Sequence, residues 1–188
     1  MDKGGGFGFY GHMALDKDFN FRFVGYHDTS SIANTVNSLS PSSWEAFTYR
    51  QDNIIGHRDT LTIPILFNEL PQARKIAPRF YDSFANHLKE IENYLSSIGQ
   101  HSNIRRANLV LLKAGKSIGR HKDATELLQV TRRFHLPVTT DQKCTFEVDG
   151  EEMHIPMGEI WEINNTGKLH SVQNGSKLDR VHLIIDAC

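Results

Sequence analysis

The chain has 188 residues, 39% of them hydrophobic and 23% charged, with a formal net charge of −1 at pH 7. That length fits one domain able to bury a core, and the dispersed Lys and Arg leave no basic field for a nucleic-acid backbone. No apolar run nears the roughly 18 residues that span a membrane, residues 1–6 lack the apolar core of a secretory signal, and Cys144 and Cys188 are too few for a disulfide framework, so a cytoplasmic protein in a reducing compartment is expected.

Residues 4–11 are Gly-rich, and Gly6-Phe-Gly8-Phe-Tyr-Gly11 satisfies Gly-x-Gly-x-x-Gly. With no strand before it and no clear helix after it, the pattern does not read as nucleotide binding. Residues 19–23 alternate apolar and polar side chains as a half-buried strand does. Ser30 or Ser31 caps a short helix through Ile32, Val36 and Leu39 that must end near Pro41. His57-Arg58-Asp59 follows, either a surface turn or an edge that contacts substrate. A longer helix starts at Pro78, aligns Phe80, Phe84, Leu88, Ile91, Leu95 and Ile98 in one stripe, and stops at Gly99. That stripe reads as packing on the outside of a barrel rather than as a cofactor site.

Strands dominate from Asn103 onward. An apolar run over 107–112 leads into a loop, 113–119, that brings His121 and Asp123 to the start of the next strand. A strand with Arg133 and His135 follows, then a hairpin turning at Asp149-Gly150. Around Glu162, Trp161 and Ile163 alternate with it, which reads Trp161 as core. Residues 181–185 form the last strand. His154 and His182 lie inside strand patterns and read as hydrogen-bonded wall residues. His87 and His101 read as structural or exposed, and His12 and His27 carry no signal.

The chemistry lies in His121-Lys122-Asp123, followed by His170 and then Arg180. Two imidazoles and a carboxylate can occupy one face of an octahedral metal and leave three positions open, the arrangement with which non-haem iron(II) oxygenases hold a 2-oxo acid and dioxygen. Arg180 supplies an always-charged, bidentate partner for the far carboxylate of a 2-oxo diacid. His57-Arg58-Asp59 repeats the His-x-Asp pattern but is followed by Thr60 to Phe67 and then a helix, with His87 the next His and no Arg-led strand behind it. In a barrel, inward positions of facing strands converge on its mouth, so ligands far apart in sequence can meet.

These residues sit in wider text that resembles a known family. Gly119-Arg-His-Lys-Asp123, Arg133-Phe-His-Leu136, Gly158-Glu-Ile-Trp-Glu-Ile-Asn-Asn165, His170-Ser-Val-Gln-Asn-Gly175 and Asp179-Arg-Val-His-Leu-Ile-Ile-Asp186 are similar to the aspartyl/asparaginyl beta-hydroxylases. The resemblance covers about 108–186 and implies a mainly β fold with flanking helices, the double-stranded β-helix (jelly-roll or cupin) barrel. It implies one oxygenase domain over 1–188, with N-terminal strands and supporting helices in 1–100 and the core barrel in 101–188. His121 and His170 resemble the family's iron ligands, Asp123 stands where small microbial members carry a carboxylate ligand, and Arg180 resembles the 2-oxoglutarate clamp. Arg133 and His135 resemble an Arg-x-His pair facing the oxo acid. Val110 stands where the family places a polar residue, so Asn108, two residues back on the same strand face, is assigned that part. Ten residues separate Asp123 from Arg133, longer than the family pattern.

The implied cofactors are iron(II), 2-oxoglutarate as co-substrate and dioxygen, and the implied reaction is hydroxylation of a C–H bond in an amino acid or peptidyl residue, aspartyl/asparaginyl or prolyl in type. The metal performs that chemistry, and the protein contributes placement and water exclusion. A small-molecule or peptide substrate is the expected partner, without nucleic acid or membrane. The alternative is a non-oxidative metal-binding cupin, an isomerase or a sensor, which would have no use for Arg180.

Overall fold

The computed structural model describes residues 18–188 apart from 54, 70–71, 75–77, 100–102 and 124. The Gly-rich segment 4–11, His12 and His101 lie outside the described residues. From β4 (Ile104–Leu112) onward, successive strands pass between two antiparallel sheets. β4, β6 (Arg132–Thr139), β9 (Glu159–Ile163) and β11 (Arg180–Ala187) belong to one. β5 (Ser117–His121), β7 (Cys144–Val148), β8 (Glu151–Met153) and β10 (His170–Asn174) form the other. This alternation is the double-stranded β-helix. Three strands from the first half of the chain, β1 (Phe21–Tyr26), β2 (Thr60–Glu69) and β3 (Gln72–Arg74), widen the first sheet to seven in the order β1-β9-β6-β11-β4-β2-β3, and the second has the order β5-β10-β7-β8.

β11 shows how the sequence sorts the layers. Side chains alternate across a strand, and Val181, Leu183, Ile185 and Ala187 face an apolar cluster with Phe84, Ile91 and Leu95 of helix α4 (Pro78–Ser97). Each such fully buried Val, Leu, Ile or Phe side chain contributes about 1.5–3 kcal/mol. Arg180, His182 and Asp186 take the opposite face, between the sheets, which is why the strand is buried on both sides. The expected stripe of α4 holds from Phe80 to Leu95, whereas Ile98 lies beyond the helix and is 41% exposed. A smaller cluster of Leu112, Phe146, Val148, Ile155 and Val172 fills part of the gap between the sheets.

The hairpin of β7 and β8 turns at Asp149 and Gly150, both with positive φ, 52° and 89°, as a two-residue type I′ turn requires. The expected strand over 19–23 is β1, shifted to begin at Phe21. Helix α1 (Ser30–Asn37) has Thr29 at its N-cap rather than Ser30 or Ser31, and Asp28 accepts the Ser30 amide at 2.9 Å in its place. Two short helices follow, α2 (Pro41–Glu45) and α3 (Tyr49–Asn53). His121 is the last residue of β5, not the first of a strand, because the 113–116 turn closes early, with the Lys116 amide donating to the Lys113 carbonyl at 3.1 Å. The long Asp123-to-Arg133 spacing holds helix α5 (Glu126–Val130). The alternation in β9 is partly reversed. Trp161 is half-buried, while Glu162 is 4% exposed and accepts bonds from Arg22 at 3.0 Å and Arg132 at 2.8 Å, which compensates the buried charge.

Candidate active site

Adjacent strands of the smaller sheet place the two histidines. His121 ends β5 and His170 begins β10, and the two stand directly opposite one another with ring centroids 4.1 Å apart. Opposed residues of an antiparallel pair lie close enough for their side chains to meet. Asp123 follows two residues later, its amide donating to the Asn165 carbonyl at 3.0 Å. His121 Nε2 lies 3.7 Å from Asp123 Oδ1 and His170 Nε2 4.0 Å from Oδ2, so one ligand atom from each falls within 4.8 Å of the others. His121 Nδ1 donates to the Gly119 carbonyl at 2.8 Å, which leaves the Nε2 lone pair aimed into the cluster. Two imidazole nitrogens and one carboxylate oxygen converging this way fit a divalent metal, and the donor set suits iron(II).

Asp123 is held by its own partners. Arg133 Nη1 and, at 2.5 Å, Asn165 Nδ2 both donate to Oδ2. Burial pushes its carboxyl up, but Arg133, then His170 and His121, more than reverse this and keep it well below the usual carboxylate range. Arg133 is itself braced by Asp186, with Nε to Oδ1 at 2.7 Å and Nη2 to Oδ2 at 3.1 Å, and Arg106 donates to the same carboxylate at 2.6 Å. Burial lowers His170 to about 4, against an opposing pull from Asp123, so its ring is neutral at physiological pH.

A cavity opens beside this cluster, lined by Val110, Phe146, Asn165, Ile184 and all the cluster residues. At one end lies Arg180, 3% exposed, with its guanidinium carbon 4.7 Å above the Phe146 ring and Nη2 donating to His182 Nδ1 at 2.9 Å. No carboxylate among the described residues pairs with it. Burial lowers its pKa to about 9. His135 lines the same end edge-on to Phe146 at 5.0 Å, buried and held neutral by burial and by Arg133, and its Nδ1 has no partner among the described residues.

The structure therefore brings together His121, Asp123, His170, Arg180, Arg133 and His135. Asn108 lies opposite Ile184 in the β4–β11 register but does not line the cavity, whereas Val110 does. His57 resolves as a cavity residue, 5% exposed, with its ring edge-on to His121 at 5.6 Å and Arg50 donating to its Nε2 at 3.1 Å. Burial, then Arg50, lowers it to about 3. Sequence reasoning assigned no role to Arg50, Asn165 or Asp186. Asp186 carried a usable signal, an acid at the same alternate positions of an apolar strand as Arg180 and His182.

The family model described as aspartyl/asparaginyl beta-hydroxylase matches residues 18–188. The chain belongs to that family. As a member it is a hydroxylase of the oxygenase type, and membership implies iron and 2-oxoglutarate in general terms. Solved structures share the hydroxylase's fold at low identity. A Pseudomonas putida prolyl-4-hydroxylase matches with a TM-score of 0.55 and 12% identity, covering 90% of this chain and 92% of that one. The nickel complex of the non-heme monooxygenase ThoJ matches at 0.54 with 15% identity, covering 90% and 74%. An oxidoreductase of the 2OG-Fe(II) oxygenase family from Burkholderia pseudomallei matches at 0.54 with 12% identity over 68% of this chain, which spans 65% of its length. No helix among the described residues of the hydroxylase is long and apolar enough to cross a membrane.

Proposed function

We propose that the chain is an iron(II)- and 2-oxoglutarate-dependent dioxygenase that hydroxylates a C–H bond of an amino acid or peptidyl residue. His121, Asp123 and His170 are the metal ligands, and Arg180 holds the far carboxylate of 2-oxoglutarate. When bound, the metal and co-substrate supply the activation of dioxygen; the chain supplies position and charge. Arg133 and Asn165 fix the carboxylate of Asp123 in its ionised form, and Asp186 fixes Arg133. Phe146, Val110 and Ile184 give the cavity an apolar wall that limits water beside the reacting centre. His135, whose Nδ1 has no hydrogen-bond partner among the described residues, is assigned to the oxo acid.

The observation that carries this reading is Arg180. A buried guanidinium that pairs with no carboxylate among the described residues is costly unless a ligand supplies the anion, and it stands beside a metal-competent cluster. Neither a non-oxidative cupin nor a sensor explains it. The test is anaerobic titration of the iron(II)-loaded protein with 2-oxoglutarate. Chelation produces a weak visible charge-transfer band that saturates at one equivalent, and absence of the band at millimolar co-substrate overturns the reading.

A further inference from the structure

Arg50 has no part in the machinery described so far. It lies on α3 and lines the cavity with His57. Its Nη2 contacts both nitrogens of the His57 ring, at 3.1 and 3.5 Å, and these contacts leave Nε and Nη1 uncommitted among the described residues. No carboxylate among those residues pairs with it. The contrast with Arg133 is direct, since that guanidinium is clasped by Asp123 and Asp186.

Its position is as informative as the absence of a carboxylate partner among the described residues. The charges that act on Arg50 are Arg133, Asp123, Arg106 and Asp186, all at the Asp186 end of β11. Arg180 is surrounded instead by Phe146, His182 and Cys144. Arg180 and Asp186 are six residues apart on one strand, about 20 Å along the backbone. The two guanidiniums thus reach one cavity from different surroundings, Arg50 among the charges near Asp186 and Arg180 beside Phe146 and His182. His57 links Arg50 to the His121, Asp123 and His170 cluster through its contact with His121.

Charge completes the argument. Arg50, Arg133 and Arg180 line the cavity against a single carboxylate, Asp123. A divalent metal and a doubly charged oxo acid cancel one another. Once the oxo acid's far carboxylate meets Arg180, Arg50 is the lining guanidinium still without an anion, and a desolvated guanidinium with an open edge is suited to a bidentate carboxylate.

We infer that Arg50 is the specificity-determining residue for the organic substrate, which carries a carboxylate that docks on Arg50 and so places a neighbouring C–H over the metal. This rests on the oxygenase reading of the same cavity. Two sources supply such a carboxylate, the α-carboxylate of a free amino acid and the side chain of an acidic residue within a peptide.

The iron(II)-loaded enzyme with 2-oxoglutarate in air separates them through stimulated succinate release. One arm supplies free L-amino acids with uncharged side chains, a second the same compounds as α-carboxamides, and a third the capped peptides acetyl-Gly-Asp-Gly-amide and acetyl-Gly-Asn-Gly-amide. The expected result is that one carboxylate arm exceeds its own amide counterpart about tenfold or more, because a site built for a charged hydrogen-bonding group rejects the analogue lacking it. Arg50→Gln brings that acid-to-amide ratio close to one through KM, and Arg50→Lys falls between. Taking the ratio within each protein cancels general damage from the substitution. Equal stimulation by acid and amide, stimulation by no carboxylate probe while 2-oxoglutarate still binds, or a ratio that survives Arg50→Gln overturns the inference. Failure of 2-oxoglutarate to bind the wild-type protein instead defeats the oxygenase reading, and the charge-transfer titration detects it before any substrate is added.

Discussion

Arg180→Met should move stability and co-substrate binding in opposite directions. Burial holds Arg180 at about 9 against an ordinary 12.5. The difference, 12.5 minus 9, is 3.5, which at about 1.36 kcal/mol per pH unit is a penalty on the order of 5 kcal/mol in the metal-free protein. Removing the charge relieves that penalty and loses the stacking on Phe146, about 2 kcal/mol when desolvated, and the bond to His182, about 1–2 kcal/mol. A net gain of about 1–2 kcal/mol remains, and Met fills most of the same volume. For a chain of this size that raises Tm by about 2–8 °C. The same change deletes the partner of the oxo acid's far carboxylate, a loss of roughly 2–5 kcal/mol or about 30- to 5,000-fold in affinity. Differential scanning fluorimetry of the metal-free protein reads the first effect, and the charge-transfer titration reads the second. Arg180→Lys should recover part of the binding, since an ammonium cannot make the paired fork contact. A lower Tm together with unchanged 2-oxoglutarate affinity would refute the reasoning on both counts.

His170→Ala or His121→Ala abolishes iron-dependent turnover while the protein keeps a cooperative unfolding transition, because both residues lie at the ends of strands outside the apolar clusters; full 2-oxoglutarate decarboxylation by either variant removes the metal assignment. Asp123→Gly weakens iron binding but leaves the metal-free fold intact, since Arg133 retains Asp186 as its partner; an unchanged iron dissociation constant shows that Asp123 is no ligand. His57→Ala leaves iron and 2-oxoglutarate binding near normal, and loss of the metal in that variant moves the site to the first half of the chain. His57 and His170 have folded pKa values of about 3 and 4, below the ordinary 6.5, so the folded metal-free state binds fewer protons than the unfolded one. The stability they confer is therefore present above about pH 6.5 and declines as pH falls toward 4, and urea midpoints that stay level between pH 7.5 and 4.5 contradict it.

The barrel was legible because its strands carry period-two apolar patterns and its hairpin carries Asp149-Gly150, both local signals with a direct physical cause. Helix α4 was legible for the same reason. The pairing of His121 with His170 came from residue type and order, and the register of β5 against β10 then gave it geometry. The other features depended on partners distant in sequence. Glu162 looked exposed beside Trp161 until Arg22 and Arg132, from β1 and β6, neutralised it. Arg50 belongs to a five-residue helix with no periodic pattern, and its importance depends on a cavity formed by strands 60 and more residues later. Counting along the strand gives Val110, which lines the cavity, whereas Asn108, its polar substitute two residues back on the same face, does not.

The proposed donor set is divided between the two layers of the barrel. His121 and His170 ride on the four-stranded sheet, whereas Asp123 is moored through Arg133 and Asp186 to the seven-stranded one. A metal bound there acts as a clasp across the sandwich, and the spacing of the layers becomes a tuning parameter for coordination. Side chains that set this spacing without being ligands, such as Ile155 between the sheets, can then alter the grip on iron.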